Sequence, residues 1–515
     1  MKTTFKRIFS LAVALILIAA MMIPCYAAES QTLYEKFGYD ENFKYNGESR
    51  AHVLKTAVCK ISLEYTGTIQ YESVSINEDD MLLDILETAI DLQEQGYSED
   101  DIVSIITKAL SECIVDYLAS GAVRTVQAQG CWLGSGVVFS EDGYIATNAH
   151  VTSVTDYDKF LTIVNEFESD YDSLVSTIEN EYGIPLDEAT EEYLLDIIIG
   201  YAYETASFSN DNFVHTVYFP DEDGYASYED CVKYPATVVA QGVAVNASEE
   251  GDGLVRDAAI LKINADNLVA LSFSNNEPAL GSNLTAGGFP GAANQIFDDL
   301  GVGDESFVSI SIDTGTVREV KKISGTKYTP IGISVTINHG SSGGPSIDDD
   351  LNIEGLNTYS SIEDNRYAYM IPARYVVDLA DGNGVDMIVD EATKVFLTGI
   401  QMLQEGYGDA AEECFIHVRN LNKHTAYVNE LIDLSRDMGG GYPEVANQKN
   451  GSVNLGLVFG IIGGVLVIAV IVVVIIIIVN NNNNKKRRRR QAEMNSQNNF
   501  GGGFGSFDMN NNMRF

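Results

Sequence analysis

The chain has 515 residues, 74 acidic and 32 basic, for a formal net charge of −42. That length accommodates two or more domains with full-sized cores. The acidic excess argues against nucleic acid and anionic lipid as partners of most of the chain.

Met1 to Ala27 reads as a secretory signal. Lys2, Lys6 and Arg7 precede an apolar run from Ile8 to Ile23, and Cys25-Tyr26-Ala27 forms a small-residue cleavage site. A second apolar run, Leu455 to Val479, has no charged residue and is long enough as a helix to cross a bilayer. The basic cluster Lys485 to Arg490 follows it and predicts a cytoplasmic C-terminus, with Ala28 to Ser452 outside the cell. This outer part carries 22 basic and 72 acidic residues. Its simplest reading is a solvated surface that keeps the protein in solution.

Residues 28–121 read as a helical leader. Glu48 to Gly67, Asp79 to Gly96 and Glu99 to Ser120 have helical periodicity, and Ser98 is placed to cap the last of these. From Ala122 the texture changes to short β-rich runs: VRTVQAQG, GVVFSEDGYIATNAHV, HTVYFP, ATVVAQGVAV, AAILKI and SVTI. Asp221 to Gly224 lacks the alternating ligands of a calcium loop and reads as a turn. Between His150 and the next β-rich run, residues 156–205 form a helical insertion, either a lid near a cleft or a surface decoration.

The β pattern ends after Leu379. Residues 382–438 read as a second helical module, in which Gly399, Met402, Gly406, Ala411 and Phe415 have the spacing of one tetratricopeptide-like helix pair. A Gly-rich linker (439–452), the apolar helix (453–479) and an Asn/Gly/Phe-rich cytoplasmic tail (480–515) complete the chain. Cys59, Cys113, Cys131, Cys231 and Cys414 are widely spaced, without the pairing of a zinc site or a disulfide framework. Buried free thiols and a single bridge, such as Cys59 to Cys113, both remain open.

The chemistry concentrates in NHGSSGGPSI, residues 338–347. Ser342 stands between Gly340 and the pair Gly343-Gly344, in a tight turn whose backbone N–H groups can approach a reacting carbonyl. A serine nucleophile needs a base, and the base needs a carboxylate to fix its tautomer. His150 in IATNAHV and Asp257 in RDAAILKI supply both, in the order His, Asp, Ser.

The segments GSGVVFSEDGYIATNAHV, RDAAILKI, GTVREV, INHGSSGGPSID, IEGLNTYSS and YAYMIPARYVV resemble trypsin-like serine proteases of the bacterial HtrA (Deg) type. The resemblance implies a mostly β protease domain over residues 122–381, built as two six-stranded antiparallel barrels, chymotrypsin-like, with flanking and inserted helices. It implies His150 as general base, Asp257 as its orienter and Ser342 as nucleophile. Gly340 and Ser342 would form the oxyanion hole, and Thr336, Asn357 and Thr358 would bind substrate. Because Thr336 is not an acid, it does not favour cleavage after Arg or Lys, and small or medium apolar P1 residues fit better.

Ser341 stands where that family usually has Asn or Asp, and His339 where it often has proline. No PDZ-like module follows. The expected activity is a membrane-anchored, extracytoplasmic endopeptidase acting on polypeptides without metal or cofactor, in quality control or surface-protein processing. The alternative is an inactive or latent protease fold serving as a binding or sensor module. In either case the helical regions are candidates for contact with a protein partner.

Overall fold

The computed structural model describes residues 32–224, 230–244, 253–290, 310–320, 327–360, 368–444 and 482–490. The expected N-terminal signal and the apolar run 455–479 lie outside these. Among the described residues no helix is long and apolar enough to cross a membrane. The chain divides into two units, Met1–Pro443 and Glu444–Phe515. In the second, residues 482–490 are helical.

In the first unit, α1 (Leu33–Phe37) and α2 (Gly47–Ala57) lead directly into β1 (Val58–Ile76). The helix expected to reach Gly67 therefore stops ten residues earlier, and the residues after it join the first barrel. The reason lies in VCKISLEYTGTIQYESVSI, rich in β-branched and aromatic side chains. Its polar residues are mostly set singly among apolar ones, the period of a strand. A partner remote in sequence completes the strand: Val58 pairs with Val137 and Ile76 with Leu118 on β2 (Leu118–Ser140).

Two closed antiparallel barrels of six strands follow, as the family resemblance implied. The first runs β1-β2-β3-β6-β5-β4, with β3 Tyr144–Thr147, β4 Ser207–Phe219, β5 Val232–Gln241 and β6 Ala259–Ile263. The second runs β10-β11-β12-β9-β8-β7, with β7 Asn283–Gly288, β8 Ser311–Val320, β9 Ile331–Ile333, β10 Pro345–Ile347, β11 Ile353–Ser360 and β12 Ala368–Pro372. SVTI (334–337), expected as a strand, is irregular, and the strand lies just before it at Ile331–Ile333. Pairing with β8 ends at Ile333, and the chain then turns toward the Ser342 loop.

The β1–β2 ladder continues well beyond the first barrel as an arm. At its far end the helices α3 (Glu78–Glu94) and α4 (Glu99–Cys113) connect the two strands, and the Ser98 hydroxyl accepts from Asp101 N at 3.2 Å as the expected cap. The insertion is helical as expected: α5 (Asp156–Leu161), α6 (Val164–Ser176) and α7 (Glu188–Thr205). It packs on this arm. Phe160, Ile163, Phe167 and Ala202 close over Tyr65, Ile69 and Tyr71 of β1. Leu174, Ile178, Leu194 and Ile198 close over Met81, Leu110 and Ile114. Each buried Phe contributes roughly 2 kcal/mol by leaving water. Lys159 binds Asp156 and Asp211 at 2.9 and 2.8 Å beside the rings of Phe208 and Phe213, fastening the start of the insertion to β4.

After the second barrel come α8 (Ala373–Gly382), α9 (Glu391–Glu405), α10 (Gly408–Leu421) and α11 (Val428–Met438). The expected close helix pair is α9 and α10. They meet at Gly399, where a Cβ would lie 2.7 Å from the Phe415 ring. A third helix, α11, joins them. One continuous core links Phe37 and Leu54 of the leader, Phe139 of the barrel, and Phe396 and Phe415 of the helical module. The module is also tied to the barrel by Glu141, a buried carboxylate in the β2–β3 turn. Glu141 accepts from the N–H groups of Asp390 (2.7 Å), Thr393 (2.9 Å) and Ala392 (3.3 Å) at the start of α9. No side chain of α9 itself caps that helix. All five cysteines described are free, so the Cys59–Cys113 bridge does not form: Cys59 is buried in the barrel core and Cys113 ends α4.

Candidate active site

His150 is presented by a local device. After β3 the chain tightens into a single 3-10 turn, Ala149–Val151, with Val151 N donating to Asn148 O at 3.3 Å. The turn projects the imidazole outward while Ala149 and Val151 stay buried. Asp257 precedes β6 and is completely buried. A buried carboxylate is costly unless its oxygens are satisfied, and here three donors converge on it. His150 N donates to Oδ1 at 2.9 Å, His150 Nδ1 lies 2.5 Å from Oδ2, and the Thr358 hydroxyl donates to Oδ2 at 2.7 Å. Asn148 Nδ2 holds the Asp257 carbonyl at 2.7 Å. An ionised carboxylate only accepts, so Nδ1 carries the ring proton and Nε2 is left as the basic lone pair.

The serine turn is held equally closely. Ser341 N donates to Asn338 O (2.9 Å), Gly344 N to Ser341 O (3.1 Å) and Gly343 N to Asn357 O (2.8 Å). From the first barrel, Ser135 N donates to Ser342 O at 2.8 Å. Gly343 is required twice over. Its φ is +85°, and a Cβ there would sit 2.2 Å from Ser135 O and 2.3 Å from Thr147 Oγ1. Gly340 has φ +91°. Among the described residues, neither Gly340 N–H nor Ser342 N–H donates to a protein acceptor.

The Ser342 hydroxyl donates to Thr358 O at 3.0 Å, and among the described residues it makes no hydrogen bond to His150. Thr358 thus touches both the serine and the aspartate. It was expected to contact substrate, but its side chain is turned to Asp257. Asn357 is likewise committed internally. Its N–H donates to Gly344 O (2.8 Å), its carbonyl accepts from Gly343, and its amide oxygen accepts from Ser346 Oγ at 2.7 Å. Asn357, also expected to bind substrate, braces the serine turn through these bonds. Thr336 is exposed, and its N–H donates to the Asp313 carboxylate at 2.7 Å.

Sequence reasoning passed over Ser135 and Asn148. Both lie in segments quoted for the family resemblance, GSGVV and IATNAHV, and that context was the available signal. Among the described residues, no three His, Cys, Asp or Glu side chains are grouped to hold a metal ion.

The family model of the trypsin-like peptidase domain matches residues 134–356. This span contains His150, Asp257 and Ser342, whereas β1 lies upstream of it and β12 downstream. That stretch is a trypsin-like peptidase domain, and the chain is a serine-type endopeptidase acting on polypeptides. Among solved structures the chain is similar to the active form of the Rv3671c protease from M. tuberculosis. The identity is 15%, covering 68% of this chain and 92% of that one, with a TM-score of 0.32. It is also similar to Deg5 (18% identity, 48% and 81% covered, TM-score 0.27). The HtrA-type protease AlgW with a decapeptide is a third (16%, 50% and 54%, 0.29). No curated protein matches.

Proposed function

We propose that this protein is a membrane-anchored, extracytoplasmic endopeptidase of the HtrA type, with His150, Asp257 and Ser342 as its triad. The supporting observation is the three-donor cradle of Asp257, which fixes the His150 tautomer and connects through Thr358 to the Ser342 hydroxyl. In the first step Ser342 Oγ leaves Thr358 O and turns to His150 Nε2. It gives up its proton there and attacks the scissile carbonyl. The carbonyl oxygen gains the negative charge and accepts from Gly340 N–H and Ser342 N–H. His150 then passes the proton to the leaving amine, which departs from the acyl-enzyme. Water deprotonated by the same Nε2 completes hydrolysis.

The parked hydroxyl favours a second reading, a resting form in which substrate binding supplies the rotation. Thr336 offers no charge to a basic P1 side chain, so small or medium apolar residues are the proposed specificity. The anchor is the 455–479 run, with the basic cluster behind it in the cytoplasm. Quality control or processing of surface proteins suits that topology.

Incubation with denatured casein tests the activity. Wild-type protein cleaves it, and His150→Ala and Ser342→Ala each abolish cleavage; cleavage that survives Ser342→Ala refutes the triad. Proteinase added outside intact cells tests the topology. It should digest residues 28–452 and spare a C-terminal epitope.

A further inference from the structure

Ser135 is completely buried on β2, and both its backbone and its hydroxyl are engaged in hydrogen bonds. Its N–H donates to Ser342 O (2.8 Å), and its carbonyl accepts from Thr147 Oγ1 (2.7 Å). Its hydroxyl accepts from Phe289 N (2.9 Å) and donates to Gly340 O (2.7 Å). A hydroxyl has one proton, and the Phe289 N–H can only donate. The Ser135 proton is therefore committed to Gly340 O.

That carbonyl belongs to the Gly340–Ser341 peptide, whose N–H end is fixed on Asn338 O at 2.9 Å. With both ends of this peptide anchored, the next freedom in the turn is rotation about Gly340, held at φ +91°. Glycine has no Cβ to defend that angle, and several backbone conformations are open to it. With the Ser135 anchor the Gly340 N–H is set against a fixed peptide; without it this peptide can turn as well, and the N–H loses that reference.

We propose that Ser135 is a positioning residue for catalysis: its hydroxyl fixes the Gly340 carbonyl and so keeps the Gly340 N–H aimed at the developing oxyanion. Oxyanion stabilisation requires donors that are already oriented when charge develops. This role rests on the triad reading above. It adds to that reading a residue of the first barrel that touches neither substrate nor the reacting atoms.

The test compares Ser135→Ala with Ser140→Ala in the full chain. Ser140 is a matched control. It is equally buried on the same strand, and its hydroxyl accepts from an N–H (Ile388, 2.9 Å) and lies within donating distance of a carboxylate (Asp142 Oδ1, 2.6 Å) and a carbonyl (Asp386, 2.9 Å), away from the serine turn. Both variants should lose thermal stability. Only Ser135→Ala should slow fluorophosphonate labelling and kcat, on the order of 10²-fold, with KM little changed. Its affinity for a peptidyl boronate, which forms a tetrahedral anion on the serine, should fall in parallel. Its affinity for the same peptide without the boronate should not.

Equal losses of kcat in the two variants would reduce Ser135 to a packing residue and overturn the proposal. So would a Ser135→Ala protein that labels at the wild-type rate. A wild type that does not label overturns the triad reading, and this role with it.

Discussion

Thr358 and Asp257 are joined by a 2.7 Å hydrogen bond from hydroxyl to carboxylate, while the carbonyl of the same threonine accepts from Ser342 Oγ. One residue of the second barrel thus braces the carboxylate supplied by the first and also holds the Ser342 hydroxyl proton.

Thr358→Val removes the hydroxyl and keeps the backbone carbonyl. A hydrogen bond to a buried charge is worth about 1.5–3 kcal/mol, which corresponds to roughly 10- to 100-fold in rate. kcat on a peptide substrate should fall by that factor, and Thr358→Ser should recover most of it. An unchanged kcat in Thr358→Val would mean that His150 alone orients Asp257.

Gly343→Ala should abolish labelling of the serine. The added methyl would meet Ser135 O and Thr147 Oγ1 at separations far below contact, in a backbone conformation that disfavours L side chains. Circular dichroism and fluorophosphonate labelling of the purified variant check this. A variant that labels at the wild-type rate would show that the turn can relax without cost.

Glu141→Ala should loosen the helical module. It removes the carboxylate that accepts from the Asp390, Ala392 and Thr393 N–H groups and leaves the last two, on buried residues, without that acceptor. The expected loss is about 3 kcal/mol, read as a lower midpoint in urea and faster amide exchange in residues 391–405. Glu141→Gln keeps one acceptor oxygen and should fall in between.

Glu354, on β11, gives a pH prediction. Burial, with a smaller contribution from Asp348, raises its carboxyl from an ordinary 4.5 to about 7, and Oε2 has no hydrogen-bond partner among the described residues. The folded protein therefore holds this proton more tightly than the unfolded chain. The stability it confers is complete below pH 4.5 and is lost as pH rises through 7. Glu354→Gln should raise the melting temperature at pH 8 and change it little at pH 4.5. Equal shifts at both pH values would contradict that sign.

What the sequence revealed was local. His150 and Asp257 were legible because each sits in a short strand-end motif whose neighbours set its position. The two barrels were legible through the motifs of the family resemblance. β1 was missed because a true helix, α2, runs into it without a turn residue, and its partners are remote in sequence. The arm was missed for a related reason. Helices α3 to α7 were each visible, but only pairing of β1 with β2 far beyond the barrel shows what they cover. The resemblance implied substrate contact at Asn357 and Thr358, but their bonds to the serine turn and to Asp257 were not legible, because strand alternation does not reveal which hydrogen bonds are already taken. Ser135 is one small residue in a Gly-Ser-Gly run, and its partner Gly340 is 205 residues away.

Labelling of purified wild-type protein, Ser342→Ala and Ser341→Ala with a fluorophosphonate probe tests the triad most directly. The account predicts a covalent adduct on wild type and Ser341→Ala, mapped by mass spectrometry to Ser342, and none on Ser342→Ala. An adduct that disappears with Ser341→Ala and persists on Ser342→Ala would contradict it.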